Sequence, residues 1–352
     1  MVHARPMPDD AGRLVAYYED FARRWAHGTS PLYEEWAAGI AANPDMIMRI
    51  GSLPPRLRQA NLLFAAARWE GAPLNEYARW QSWLVENWDA VVATASVRAT
   101  QTNEVGRCAT LMPVLSRIDG RVALLEVGAA AGLCLLPDRY TYRYASPAGV
   151  HDLHPADGAS DVVLTCRIDD ARDAPARMPH VVWRAGIDLS PVDPADPDAI
   201  AWLATLIWPG PDHDARVARL RGAAAIAAAD PPRVDTGDLL DRVTALAAES
   251  PAEATLVLFH SAVLLYLDAP SRARFASLAL SLGERLGRRV VWLSNESAGT
   301  YPEVDAQVPA DADTAHRFVQ SVDGRAVALA GQHGAVYETR PFRNGATARD
   351  DA

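Results

Sequence analysis

The 352-residue sequence predicts an α/β protein, with an all-helical N-terminal domain before a largely parallel sheet that closes in antiparallel strands. Three observations carry this. Residues 10 to about 110 repeat apolar positions at a helical period. From about residue 120, short apolar runs alternate with helical stretches. Near the C-terminus the runs are joined by turn dipeptides. A composition 49% hydrophobic provides a large core, and the length suits two domains.

Leu14, Tyr17, Tyr18, Phe21 and Trp25 fall close to a 3.6 period. Ser30 is a candidate N-cap, with Pro31 at the first helical position. The next helical run stops at Gly71, a C-cap signal. Tyr77, Trp80, Trp83 and Trp88 form an aromatic stripe, read either as helical core or as a lid that lines a pocket. Strand candidates are VALLEVG (122–128), VVWRAGIDL (181–189), ATLVLFHS (254–261) and RRVVWLSNE (288–296). Asp323-Gly324 marks a hairpin, and Gly331 to Gly334 a second turn. The expected domains are 1–110 and 111–342, with insertions near 145–182 and 195–232 and a disordered tail at 343–352.

The formal charge is −10, and the 34 basic residues form no stripe, which makes nucleic acid an unlikely partner. No run approaches the roughly 20 apolar residues of a membrane span, and the N-terminus has no apolar signal core. The expectation is a cytoplasmic protein with a small-molecule substrate and no membrane partner. Cys108, Cys134 and Cys166 are widely spaced and read as reduced, structural thiols. His151 and His154, near Asp152 and His180, are too loosely spaced to argue for a metal. The sequence leaves the oligomeric state open.

The most informative stretch is ALLEVGAAAGLCLLPDRY, Ala123 to Tyr140. An apolar run enters a small-residue loop, and the loop enters a segment read as a helix. A dinucleotide fingerprint needs a small residue where Leu133 stands, and a phosphate loop needs a lysine that is missing. The pattern acidic-x-G-x-G-x-G, that of a methyl-donor loop, fits Glu126 to Gly132 except that Ala130 replaces the middle glycine. Small residues let backbone approach a ligand, and an early helical turn offers unpaired N–H groups. Downstream, Asp188 closes one strand candidate, Asp238 follows another short segment, and His260 ends a third.

In this order the motifs resemble class I S-adenosylmethionine-dependent methyltransferases, a Rossmann-like fold, over residues 120–342. More narrowly, TQTNEVGRC, LLEVGAAAGLCLLPDRYTYRY, WRAGIDLSPVD, WLATLIWP, FHSAVLLYL and WLSNE resemble a bacterial family, domain of unknown function 2332 (DUF2332), over nearly the whole chain. That family brings no established activity. The methyltransferase resemblance implies S-adenosyl-L-methionine as cofactor, held by Glu126, Gly128, Ala129, Ala130, Gly132 and Leu133 of the loop. Asp188 with Leu189 would hold the ribose hydroxyls, because a carboxylate accepts two hydrogen bonds. Asp238 with Leu239 would lie beside the adenine amino group, and His260 with Ser261 would complete the site. Arg107 is a candidate for the methionine carboxylate. The candidate catalytic residues are His260 as base, Glu296 toward an amine acceptor, and Asn103 toward a polar acceptor. Two departures stand out: 60 positions separate Gly128 from Asp188, and 50 separate Asp188 from Asp238. The first gap is read as an inserted β-hairpin and the second as a long helical stretch. The expected function is methyl transfer to a small molecule beneath a helical lid. The alternatives are intramolecular cyclisation or aminocarboxypropyl transfer from the same cofactor, and a non-catalytic ligand-binding module.

Overall fold

A computed structural model describes residues 11–101 and 103–343. The expected tail lies, from residue 344 onward, outside the described residues. The chain divides into two compact units, which are taken separately. Among the described residues, one comprises 11–101 and 197–221, and the other 103–196 and 222–343. Residues 197–221, which the sequence assigns to an insertion in the second domain, thus group with the helices.

The helical unit holds α1 (Ala11–Asp20), α2 (Pro31–Ala41), α3 (Pro44–Gly51), α4 (Ala60–Trp69), α5 (Tyr77–Glu86) and α6 (Trp88–Val97). A π-helical turn, Phe21–Ala26, prolongs α1. Ser30 caps α2 as the sequence predicts: its Oγ accepts the Tyr33 N–H, and Pro31 follows. Gly71, just past α4, takes φ 93°. Of the aromatic stripe, Trp80 is buried in the core, and Tyr77, Trp83 and Trp88 are half-buried and pack against it. Trp36, Trp80, Phe64, Tyr33 and Tyr18 are fully buried, and Trp36 stacks on Trp80 with centroids 4.4 Å apart. Such rings supply much of a core's apolar burial. Arg68 ties residues 205–207 to α4, donating from Nη1 to Thr205 O and Ile207 O at 2.7 Å each. That tie places α8 (Pro197–Thr205) in this unit.

The other unit opens with a short turn before α7 (Cys108–Leu115) and carries, among the described residues, one sheet of eleven strands. They are β1 (Arg121–Val127), β2 (Thr141–Ser146), β3 (Gly149–Leu153), β4 (Val163–Ile168), β5 (His180–Asp188), β6 (Arg233–Thr236), β7 (Thr255–Ser261), β8 (Val290–Ser297), β9 (Arg317–Val322), β10 (Arg325–Gly331) and β11 (Val336–Glu338). Their spatial order is β3-β2-β4-β11-β10-β9-β8-β7-β1-β5-β6. β6, β5, β1, β7 and β8 are mutually parallel. β9, β10 and β11 continue from β8 as an antiparallel run. The sheet is therefore mixed, parallel at its centre and antiparallel toward the C-terminus, as the alternating texture predicts.

The gap between β1 and β5 holds more than a hairpin. β2 and β3 form the hairpin, and β4 joins them parallel to β2; all three attach to the far end of the sheet, beyond β11. The second gap is helical, as expected, with α8 and then α9 (His213–Ala229). Helices α10 (Leu239–Ala248) and α11 (Ala269–Leu286) cover one sheet face. Leu125 and Val127 of β1, Leu258 of β7 and Trp292 of β8 share that core with Val243, Leu246 and Phe275. Because side chains alternate along a strand, Leu124 and Glu126 turn to the opposite face. There α7 lies, with Thr110 O accepting from Gln320 Nε2 of β9.

Candidate functional site

The order of the parallel strands reverses at β1, which has β5 on one side and β7 on the other. In an open α/β sheet, ligands bind beyond the C-terminal strand ends at such a reversal. Two loops meet there, the one after β1 (128–132) and the one after β7 (262–264). Both are strained. Ala130 takes φ 49° and Ala262 takes φ 59°, left-handed values that alanine adopts at a cost of roughly 1 kcal/mol or more. Surrounding bonds impose this. The Gly128 and Ala129 N–H groups donate to Ile187 O of β5, and the Ala130 N–H to Asp188 Oδ2 at 2.8 Å. The Ala262 N–H donates to Asn295 O at 2.9 Å. Ala130→Gly is expected to raise stability by about 0.5–1 kcal/mol, the relieved strain outweighing the extra freedom of the unfolded glycine. A urea midpoint that falls in this variant contradicts the strain.

The expected helix after the loop does not form. Gly132 (φ 67°) leads instead into two 3₁₀ turns, Leu133–Leu135 and Pro137–Arg139, and then into β2. Residues 129–137 are buried without interruption. The segment therefore has no polar face to give a surface helix, and Pro137 disfavours helical geometry at Leu136. The loop's glycines serve internal packing as well as positive φ. A Cβ at Gly128 would collide with Val263 Cγ2, and one at Gly132 would lie 2.6 Å from Pro232 Cγ.

Asp188 sits where the sequence places it, at the end of β5, and braces three loops. Its Oδ2 holds Ala130, its Oδ1 accepts the Ser190 N–H at 2.8 Å, and its carbonyl accepts the Gly237 N–H. Leu189 beside it is exposed. Asp238 follows Gly237 and caps α10, its Oδ1 accepting the Leu240 N–H at 2.8 Å, while Leu239 packs into the core under that helix. These candidates thus share one edge of the sheet with the loop at Ala130.

His260 and Glu296 face the other way, toward α11. His260 is 0% exposed. Its Nε2 accepts the Trp292 indole N–H at 3.0 Å, so its Nδ1 carries the proton and donates to Glu296 Oε1 at 2.8 Å. Both nitrogens are engaged, and the ring is a neutral spacer between Trp292 and Glu296. Glu296 Oε1 also accepts the N–H groups of Val263 and Leu264, fixing the loop after β7. Ser261 and Asn295 point to the α7 face, where Asn295 Nδ2 donates to Ser261 Oγ at 3.3 Å. Asn295 Oδ1 accepts from Gln320 Nε2, and Gln320 Oε1 accepts from Tyr337 Oη.

The segment before α7 completes the site. Asn103 Nδ2 donates to Ala129 O at 3.3 Å. Arg107 is buried, donating from Nη1 to Ser261 O (3.0 Å) and from Nε to Gln332 O (3.1 Å), with its guanidinium 5.1 Å from the Phe318 ring centre. Burial lowers its pKa, opposed by Cys134, Glu104 and Glu296. Glu126, 5% exposed, has its carboxyl pushed well above the usual range, first by burial, then by Cys134 and Asp188, against the pull of Arg107. Three acceptor oxygens here are buried without a hydrogen-bond partner: Glu126 Oε2, Glu296 Oε2 and Asn103 Oδ1.

The structure thus gathers Asn103, Arg107, Glu126, Ala129, Ala130 and Asp188 around one loop, with Ser261 O bound by Arg107 and Glu296 within electrostatic reach of it. It turns His260 away. The sequence reading missed Gln320, Tyr337 and Thr110 as supports of the α7 face. Only their burial marks them, since isolated polar residues in late strands carry no motif. No group of residues suited to hold a metal ion occurs among the described residues.

Residues 15–338 match a family described as an uncharacterized protein conserved in bacteria (DUF2332). No curated protein matches the chain.

Proposed function

The chain belongs to the DUF2332 family, and on that premise we propose that it binds S-adenosyl-L-methionine at the C-terminal ends of β1 and β5 and acts as a Rossmann-like transferase on a small molecule. One observation carries the reading. Where the strand order reverses, the buried acceptors Glu126 Oε2 and Asn103 Oδ1 stand without partners beside the loop after β1. Buried acceptors left unmade cost roughly 1–3 kcal/mol each, which a ligand bearing donors or positive charge recovers. The acceptor set fits such a ligand at two ends. Glu126 and Asn103 suit its ammonium. Asp188 suits its ribose hydroxyls, because a carboxylate accepts two hydrogen bonds at once.

When bound, the cofactor supplies an electrophilic carbon on a sulfonium. The chain's part is to orient the reactants and keep water out. Arg107 and Asp188 hold the loops that frame the site, and Glu296 holds the loop after β7. His260 does not act as base in this reading, since both its nitrogens serve the fold. The reaction then suits an acceptor whose lone pair needs no proton removed by the enzyme.

A second reading, a binding module without catalysis, is favoured by the loop itself. The space that open glycines would offer a ligand is filled by Val263 and Pro232.

Thermal unfolding with S-adenosyl-L-homocysteine, S-adenosyl-L-methionine, NAD and ATP tests the proposal. Ligand at about 100 times its Kd adds roughly 2.7 kcal/mol, a shift of several degrees. The proposal expects that shift with the first two only. Product analysis then separates the reactions: S-adenosylhomocysteine marks methylation, methylthioadenosine marks cyclisation or aminocarboxypropyl transfer, and turnover of neither marks the module.

A further inference from the structure

Arg107 stands among buried acids. Glu104, Glu126 and Glu296 are each at least nine-tenths buried, and all lie close enough to influence Arg107 or be influenced by it. Arg107 itself donates from Nε and Nη1 to backbone carbonyls, which carry no net charge to match it. The Oε2 atoms of Glu126 and Glu296 remain without partners, as does Asn103 Oδ1. Every unsatisfied atom here is an acceptor. A buried set of this kind asks for a cation that carries donors.

We propose that the acid cluster around Arg107 binds a ligand's ammonium group and gives up one proton when it does so. The proton is that of Glu126. The groups facing this carboxyl are Arg107 from the turn before α7, Cys134 and Tyr140 from the segment after the loop, and Asp188 from β5. Burial outweighs Arg107 among them, so the carboxyl keeps its proton above the usual carboxylate range. An ammonium beside it reverses that balance and favours the carboxylate. The reaction balances simply: a neutral carboxyl and an ammonium enter, and a carboxylate–ammonium pair and a solvent proton leave. Affinity therefore rises with pH until Glu126 is ionised in the free protein.

The inference rests on the cofactor reading only for the source of the ammonium, which either the cofactor or an amine acceptor supplies. The test is calorimetric titration of the full chain at neutral pH in phosphate and in Tris, buffers with different ionisation enthalpies. The probes are S-adenosyl-L-homocysteine, 5′-methylthioadenosine, which lacks the ammonium, and putrescine, which is an amine alone. The expected result is net proton release with S-adenosylhomocysteine, none with methylthioadenosine, and at least tenfold weaker binding of the latter. In Glu126→Gln, binding of S-adenosylhomocysteine proceeds without proton release. Equal binding of both nucleosides without release overturns the inference and leaves the cofactor reading standing. Putrescine binding with release, while neither nucleoside binds, supports the inference and overturns the cofactor reading. If no probe binds, both fall.

Discussion

Replacing His260 with alanine is expected to destabilise the sheet unit by about 4 kcal/mol. Three costs combine. A fully buried ring is lost from between Phe275 and Trp292, whose ring centres lie 5.5 and 6.0 Å away. The Trp292 N–H loses its acceptor, and Glu296 loses one of its three donors. Truncating a large buried side chain costs roughly 2–5 kcal/mol and an orphaned buried donor roughly 1–3 kcal/mol. The unfolding midpoint of purified variant in urea measures the sum. A variant with unchanged midpoint and lost activity would show that His260 does chemistry rather than hold the fold. The same geometry explains why the sequence misleads here. A histidine at the end of a central strand marks the ligand edge of the sheet. Strand alternation decides which face it serves, and here it serves the face packed against α11.

Asp188→Ala is expected to cost about 2 kcal/mol of stability and to weaken S-adenosyl-L-homocysteine binding at least about 100-fold. The stability cost follows from two backbone N–H groups, Ala130 and Ser190, losing their acceptor at once. Without that brace the positive φ of Ala130 loses the side-chain bond that helps impose it, and the loop after β1 is held less tightly. The binding loss follows from removing the carboxylate proposed to hold the ribose hydroxyls. Calorimetric titration of the variant separates the two effects, because residual folded protein still reports its own affinity.

Much of this arrangement is legible in the amino-acid order. The aromatic period of α1 to α5, the Ser30 cap and the hairpin at Asp323-Gly324 are local, and local patterns survive folding. The strand texture after residue 120 places Glu126, Asp188 and Glu296 at or near C-terminal strand ends, where they lie. Other features are not local. The segment after Gly132 has the length and apolar content of a helix, but it is buried all round and spans only two short turns. β2 and β4 leave the centre for the far end of the sheet, a route set by pairing with β11, more than 160 residues later. Arg107 joins Ser261 and Gln332 across similar distances, so its role as a brace between strand-end loops has no sequence signature. The acceptor oxygens of Glu126 and Asn103 appear as unpartnered only once every nearby donor is accounted for.

The central claim is that the loops after β1 and β5 hold an adenosyl ligand. The most direct measurement is the thermal unfolding of wild type and Asp188→Ala side by side, each with and without saturating S-adenosyl-L-homocysteine. The claim predicts a rise of several degrees in the wild type and none in the variant. Equal shifts in both proteins would place the ligand elsewhere, and no shift in the wild type would contradict the claim outright.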